Sequence, residues 1–296
     1  MKTFFFILSI SISILFSQAF DTKIGMCYLE IFGGDILGNE EIQELIISEV
    51  EKLTQEYGKV IKQPFYVYIS EDMDAYYKQV KGHVPEWGIA VAKRNPDRII
   101  LKSPQIARIS YTRLLEVIVH ELNHIFMFRI ANNISVPGWY KEGLAIKHSN
   151  EFSLVQRINV SKNLWNDSLI PLMGLDFIQK LPNHKIQLAY AQSAVAILTM
   201  EYFYGIDIHK HILGHIKYGT PFWQAMEQIT GDNRFEFQGN YEEFIKNNYS
   251  WMIFLKTGNL LFVFAPIILG IGYFYRYRKN RQTLKRWETE EIESKL

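Results

Sequence analysis

Val117-Ile118-Val119-His120-Glu121-Leu122-Asn123-His124-Ile125-Phe126 is the stretch on which the reading of this chain turns. Histidines four apart lie on one helical face about one turn apart, the separation at which two imidazoles meet one tetrahedral zinc ion. Glu121, about 100° around the helix, does not compete as a ligand with that pair but reaches a water bound to the ion, the place of a general base. Apolar residues on both sides bury the helix and supply the dry surroundings in which a metal polarises its ligands strongly. Ser110 and Thr112 offer N-cap oxygens to a helix running to about Asn132, with Asn132-Asn133 and then Pro137-Gly138 ending it.

Upstream, Ile42, Leu45, Ile46, Val50 and Leu53 recur at helical spacing among Glu and Lys and predict an amphipathic helix over residues 39–58. Residues 65–70, Phe-Tyr-Val-Tyr-Ile-Ser, alternate as a strand does; residues 87–92 and 98–102 are further strands around the turn at Asn95-Pro96-Asp97. Downstream the pattern is helical nearly to Tyr249, broken at Pro171, Pro182 and Gly231-Asp232. Few strands followed by many helices predict an α+β fold: a small antiparallel or mixed sheet, the His-Glu-x-x-His helix, then a mostly helical C-terminal half.

Lys and Arg (32) nearly balance Asp and Glu (31), so average charge gives no reason to expect a nucleic-acid partner. Cys27 is the single cysteine, which excludes an intrachain disulfide framework and a zinc site built on cysteines. Gly33-Gly34 and Gly38 are not followed by Gly-Lys-Ser/Thr, and no Gly-x-Ser-x-Gly occurs, so neither a phosphate loop nor a serine-hydrolase elbow is present. His209, His211 and His215 come without an acidic motif and read as a partly exposed helix face.

The two ends carry apolar runs. Met1-Lys2, an apolar and Ser-rich run over 4–16 and Ser17-Gln18-Ala19 predict a signal peptide over 1–19. Residues 257–275 lack a charge, Trp251 and Tyr273, Tyr275 and Tyr277 flank them, and Arg276, Arg278, Lys279 and Arg281 follow. The expectation is one domain built around the His-Glu-x-x-His helix over 20–250 outside the cytoplasm, one transmembrane helix over 251–275 and a basic cytoplasmic tail over 276–296.

His-Glu-x-x-His arises by chance in roughly one chain in a hundred of this length, so a third ligand decides its meaning. The metzincin pattern needs Gly and His three and six residues beyond the second histidine, where this chain has Met127 and Ile130. Instead 17 residues separate His124 from Glu142, which sits in Pro137-Gly-Trp-Tyr-Lys-Glu-Gly-Leu-Ala145. This resembles the gluzincins, the thermolysin-like and aminopeptidase-like zinc peptidases in which a glutamate on the next helix completes the site. With Tyr190-Ala-Gln-Ser193 following in order, residues 40–250 are most similar to small bacterial peptidase MA-like domains.

The resemblance implies Zn2+ on His120, His124 and Glu142, Glu121 as general base, and Tyr190 as donor to the oxyanion, with His148 and His184 as weaker alternatives. It also implies that Trp87, Gly88, Ile89 and Ala90 belong to an edge strand along which a substrate backbone is laid. The aminopeptidases carry a glutamate on that strand; residues 87–92 have none, which favours an endopeptidase. The thermolysin pattern has an Asp four residues beyond the third ligand, where this chain has Ile146, so no residue is assigned to orient the histidines. The expected function is a membrane-anchored zinc endopeptidase acting on peptides or proteins; the alternative is an inactive peptidase-like binding module at the membrane surface.

Overall fold

The computed structural model of the chain describes residues 15–32, 39–80, 88–255 and 260–293. In chain order the elements are β1 (Leu15–Thr22), β2 (Gly25–Phe32), α1 (Asn39–Tyr57), β3 (Phe65–Ser70), α2 (Met73–Val80), β4 (Ala90–Lys93), β5 (Arg98–Lys102), α3 (Pro104–Ala107), α4 (Tyr111–Ala131) and α5 (Gly138–His148). They continue with α6 (Leu154–Trp165), α7 (Asn183–Tyr204), α8 (Ile208–Lys217), α9 (Phe222–Thr230), α10 (Arg234–Tyr249) and α11 (Leu260–Glu293), with short 3-10 turns at Leu172–Leu175, Ile178–Lys180 and Ser250–Leu255.

Two compact units result, one of residues 1–153 with 170–243, the other of residues 154–169 with 244–296. The larger unit holds the sheet, whose strand order is β1-β2-β3-β5-β4. β3 runs parallel to both neighbours, while β1 and β4 pair antiparallel at the two ends, so the sheet is mixed. Parallel pairing of β2 with β3 needs a crossover, and α1 supplies it. Alternation then chooses the buried face: Cys27, Leu29 and Ile31, Phe65, Val67 and Ile69, and Ile99 and Leu101 are all fully buried. Ile42, Ile46, Val50 and Leu53 of α1 and Leu114, Ile118 and Leu122 of α4 complete the core. Burial pushes the Cys27 thiol up, so this cysteine is an inert core side chain.

The far end of α4 is fixed by Arg129. Its buried guanidinium pairs with Asp97 at 2.7 Å and donates to the carbonyls of Ile24 (2.7 Å) and Gln63 (3.1 Å). One side chain thus ties the helix to the turn before β5 and to the loops entering β2 and β3. At the near end Ser110 caps α4, its hydroxyl accepting from the Arg113 backbone N–H at 3.1 Å.

Three expectations change. The strand expected over 87–92 is β4, starting at Ala90 and reaching Lys93; Trp87 lies outside the described residues. The signal peptide falls largely outside them too, and Leu15 to Ala19 are already part of β1, paired residue for residue with β2.

The transmembrane helix over 251–275 is overturned: no helix among the described residues is long and apolar enough to cross a membrane. Residues 251–255 form a 3-10 turn, residues 256–259 lie outside the described ones, and α11 begins at Leu260. From Leu260 to Tyr275 there are 16 residues before Arg276. Mean hydropathy, and not the lack of charge alone, decides whether such a stretch crosses a bilayer. Tyr273, Tyr275, Gly270 and Gly272 dilute the stretch. A run without charge is not by itself a run of apolar residues, and the basic residues from Arg276 continue in α11.

Candidate metal centre

α4 and α5 bring three ligand atoms together. His120 Nε2 lies 3.4 Å and His124 Nε2 3.6 Å from the same oxygen of Glu142, Oε2. The ligand atoms of all three residues lie within 4.8 Å of one another, a cluster that could hold a metal ion. Two imidazoles and a carboxylate are a donor set suited to a tetrahedral zinc site that keeps one position open.

The motif around Glu142 has a packing explanation. A Cβ on Gly143 would lie 2.4 Å from the Ser193 carbonyl oxygen, so only glycine lets α5 and α7 approach this closely. Gly138 is similarly pressed: its N–H donates to the Asp176 carbonyl at 2.9 Å, and a Cβ there would lie 2.8 Å from that oxygen. Trp139, fully buried, packs edge-on to Phe222 and stacks with Phe237. The spacing of Pro137 to Ala145 and of Tyr190 to Ser193 therefore encodes one helix crossing, and the crossing delivers Tyr190 to the wall of a cavity of about 500 Å³.

That cavity is lined by His120, Glu121, His124 and Glu142, by Tyr190, by Gly88, Ala90, Val91 and Ala92, and by Phe128, Lys141, Ile178, Gln179, Asn183 and Ile186. β4 stands at the sheet edge. The Ile89 carbonyl accepts from the Lys102 N–H at 2.9 Å, so the alternation of an antiparallel pair turns the backbone groups of Ala90 and Ala92 away from β5. The Ala92 N–H is used by Glu121, whose carboxylate accepts from it.

Charge in the pocket follows from burial. Burial raises the pKa of Glu121, and Glu142 adds to this, while His124, His120 and the Ala92 N–H oppose it. For Glu142 burial would also raise the pKa, but His124 and His120 outweigh it and hold the carboxyl well below the usual range. Burial opposes charge on His120, yet hydrogen bonds to Glu142 and Glu151 prevail and raise its pKa to about 10. Burial, then the charges of Glu142, Glu121 and Glu151, push the Tyr190 phenol upward, so it stays a protonated donor.

Glu151 is the residue sequence reasoning missed. Its Oε2 sits 2.8 Å from His120 Nδ1, and Arg113 holds Oε1 at 2.6 Å. A carboxylate on the far nitrogen of a ligating histidine fixes the tautomer and ring direction. Four residues beyond Glu142 the chain is still within α5; it leaves the helix at Ser149, turns through Asn150 in the left-handed region (φ 58°) and presents Glu151 nine residues on. The available signal was an Asn-Glu pair just past a helix end.

His148 and His184 do not line the cavity; His148 faces Glu56 instead, 3.3 Å away. His209, expected on a partly exposed face, is fully buried, with Nδ1 3.2 Å from the Tyr140 hydroxyl and Nε2 3.5 Å from Glu201.

Comparison with curated proteins yields no match. Solved structures similar to the chain include a two-domain M1 zinc metallopeptidase variant bound to L-arginine, with 10% identity, TM-score 0.43, and 78% of this chain and 51% of that one covered. An aminopeptidase N family protein from Idiomarina loihiensis shows 11% identity and TM-score 0.44 over 81% and 42%. An M1 zinc metallopeptidase variant from Deinococcus radiodurans shows 12% and 0.44 over 78% and 52%. The chain spans about half the length of these structures. The Peptidase MA superfamily pattern matches residues 46–247, from within α1 to near the end of α10 and across the whole His-His-Glu cluster, and the chain belongs to that superfamily.

Proposed function

We propose that this protein is a zinc-dependent peptidase, with His120, His124 and Glu142 as the ligands. The observation that carries the reading is the convergence of two histidine nitrogens on one Glu142 oxygen, beside a second carboxylate, Glu121, that faces the same cavity without joining the cluster. A purely structural site has no use for that extra carboxylate.

Zinc, when bound, supplies Lewis acidity and a water that ionises near neutral pH. Glu121 takes a proton from the attacking water and returns it to the leaving amine, and the burial that raises its pKa suits a group that must both accept and release a proton. The Tyr190 hydroxyl donates to the oxygen on which charge develops. The outward backbone groups of Ala90, with Gly88 beside them, pair with the substrate main chain and hold it extended. Residues 88–93 bear no carboxylate to hold a free amino terminus, which favours cleavage within chains. Export, suggested by residues 1–19, is part of the same proposal; protein recovered outside the cytoplasm supports it, and protein confined to the cytoplasm overturns it.

The test is Glu121→Gln in the full chain. This change preserves size and hydrogen bonding but cannot accept the proton, so zinc content stays near normal while cleavage of a broad peptide library drops by about 10² to 10⁴. Equal activity in the two proteins removes the mechanism. A wild type that binds zinc and cleaves nothing leaves the peptide-binding module as the better reading.

A further inference from the structure

The cavity carries a charge that neither the metal cluster nor the proposed base accounts for. Among the described residues lining it, Lys141 is the one charged side chain outside His120, His124, Glu142 and Glu121. The rest of that wall, contributed by the turn before α7 and by α7 itself, is neutral: Gln179 and Asn183 are polar, Ile178 and Ile186 apolar.

Two features make Lys141 more than a solvated surface cation. Among the described residues no carboxylate lies within ion-pair distance of it, although Lys147, six residues on in the same helix, holds both Glu56 and Glu201. It also sits in the first turn of α5, which has no acidic residue, at the positive end of the helix dipole. A cation there is disfavoured, and the same end of the helix attracts an anion. A lysine kept at a helix start, half-buried in the cavity wall and adjacent in sequence to a proposed metal ligand, adds positive potential where a substrate must pass.

We propose that Lys141 selects substrates bearing a carboxylate next to the scissile bond, so that acidic peptides are preferred over neutral ones and basic ones are rejected. The inference rests on the peptidase reading for its use but not for its test, because binding reads it without turnover. The carboxylate can come from an Asp or Glu side chain or from a free C-terminus, and the two sources are separable.

The experiment uses the full zinc-loaded chain with four matched peptides: one with an internal Glu and an amidated C-terminus, one neutral with a free C-terminal carboxylate, one neutral and amidated, and one with Lys replacing Glu. Dissociation constants are measured on the Glu121→Gln protein, and kcat/KM on the wild type, each with and without Lys141→Met and Lys141→Glu. A partly screened ion pair predicts about a tenfold preference for a carboxylate peptide over the neutral amide, lost in Lys141→Met and reversed toward the Lys peptide in Lys141→Glu. Which of the first two peptides shows the preference tells side chain from terminus.

A preference that survives Lys141→Met means that the metal, not Lys141, holds the carboxylate, and overturns the inference. So does equal binding of all four peptides. If wild type cleaves none of them yet the binding preference follows Lys141, the inference stands and the peptidase reading falls; if cleavage occurs without any dependence on Lys141, the reverse holds.

Discussion

α5 carries a cluster of histidine and carboxylate groups at each end, and the two are built differently. Around Glu142, two histidines and a carboxylate point at one spot beside an open cavity, with a further carboxylate behind the first histidine. Around Lys147 and His148, each carboxylate already has a partner: Glu201 lies 2.5 Å and Glu56 3.3 Å from the Lys147 ammonium, and Glu56 and Glu49 lie 3.3 and 3.8 Å from His148. The first arrangement leaves lone pairs converging where no proton-bearing group satisfies them all. In the second, each carboxylate is partnered within the network. The residue types are much the same, so what separates a metal centre from an ion-pair network is convergence and access.

The comparison breaks most easily at the first cluster. His124→Ala removes one of three protein ligands, and zinc affinity should drop by at least about 10³-fold in a chelator competition. Retention of tight zinc would place the metal elsewhere. The matching change in the other cluster, His148→Ala, should leave zinc affinity within about twofold, since His148 reaches neither the cavity nor the ligands.

Glu151→Gln sharpens the point. It keeps a hydrogen-bond acceptor near His120 but removes the charge that orients and polarises it, so zinc affinity should weaken by about 10- to 100-fold while the fold survives. An unchanged affinity would make Glu151 a partner of Arg113 alone.

Lys147→Met strands Glu201 and Glu56 without their shared cation. With the ammonium side chain 29% exposed, the cost should be about 2 kcal/mol in urea unfolding, below the value for a fully buried pair, and zinc affinity should not move. A loss of zinc would mean that the two ends of α5 are coupled.

The smallest effect concerns pH. Burial alone would raise the Glu56 pKa, but His148 and Lys147 outweigh it and hold it at about 2. Because the folded value lies below the unfolded one, near 4.5, Glu56 adds stability above that pH and loses it as pH falls toward 2. In chelated protein, Glu56→Gln should therefore be less stable than wild type by about 1 kcal/mol at pH 7, a gap that closes by pH 2 to 3. A gap independent of pH would assign the effect to packing.

Much of this was legible in the sequence because the signals are local. Periodicity gave α1 to within one residue, alternation gave β3 and β5, and Ser110 marked the start of α4. β1 overlaps residues 1–19, which read as a signal peptide, and β2 carries no assignment from the sequence; the C-terminal stretch reads as a span only if uncharged tyrosines and glycines count as apolar. Glu151 was missed because it reaches His120 through a left-handed turn that no periodicity encodes.

By itself the sequence determined what a single helix can: His120 and His124 share a face with Glu121 beside them because four residues complete about one turn. It also supplied, by resemblance, Glu142 as the third member. Tertiary structure alone decided which carboxylate stands behind His120, that Ala90 and Ala92 turn their backbone groups outward, that Lys141 shares the cavity with the cluster, and that His148 and His209 do not. Those facts depend on how α5 crosses α7 and α4, a contact made possible by the missing side chain of Gly143 against Ser193, between residues 50 positions apart. Spacing along the chain fixes angles around one helix axis; the distance between two helices is set by the volumes that must fit between them.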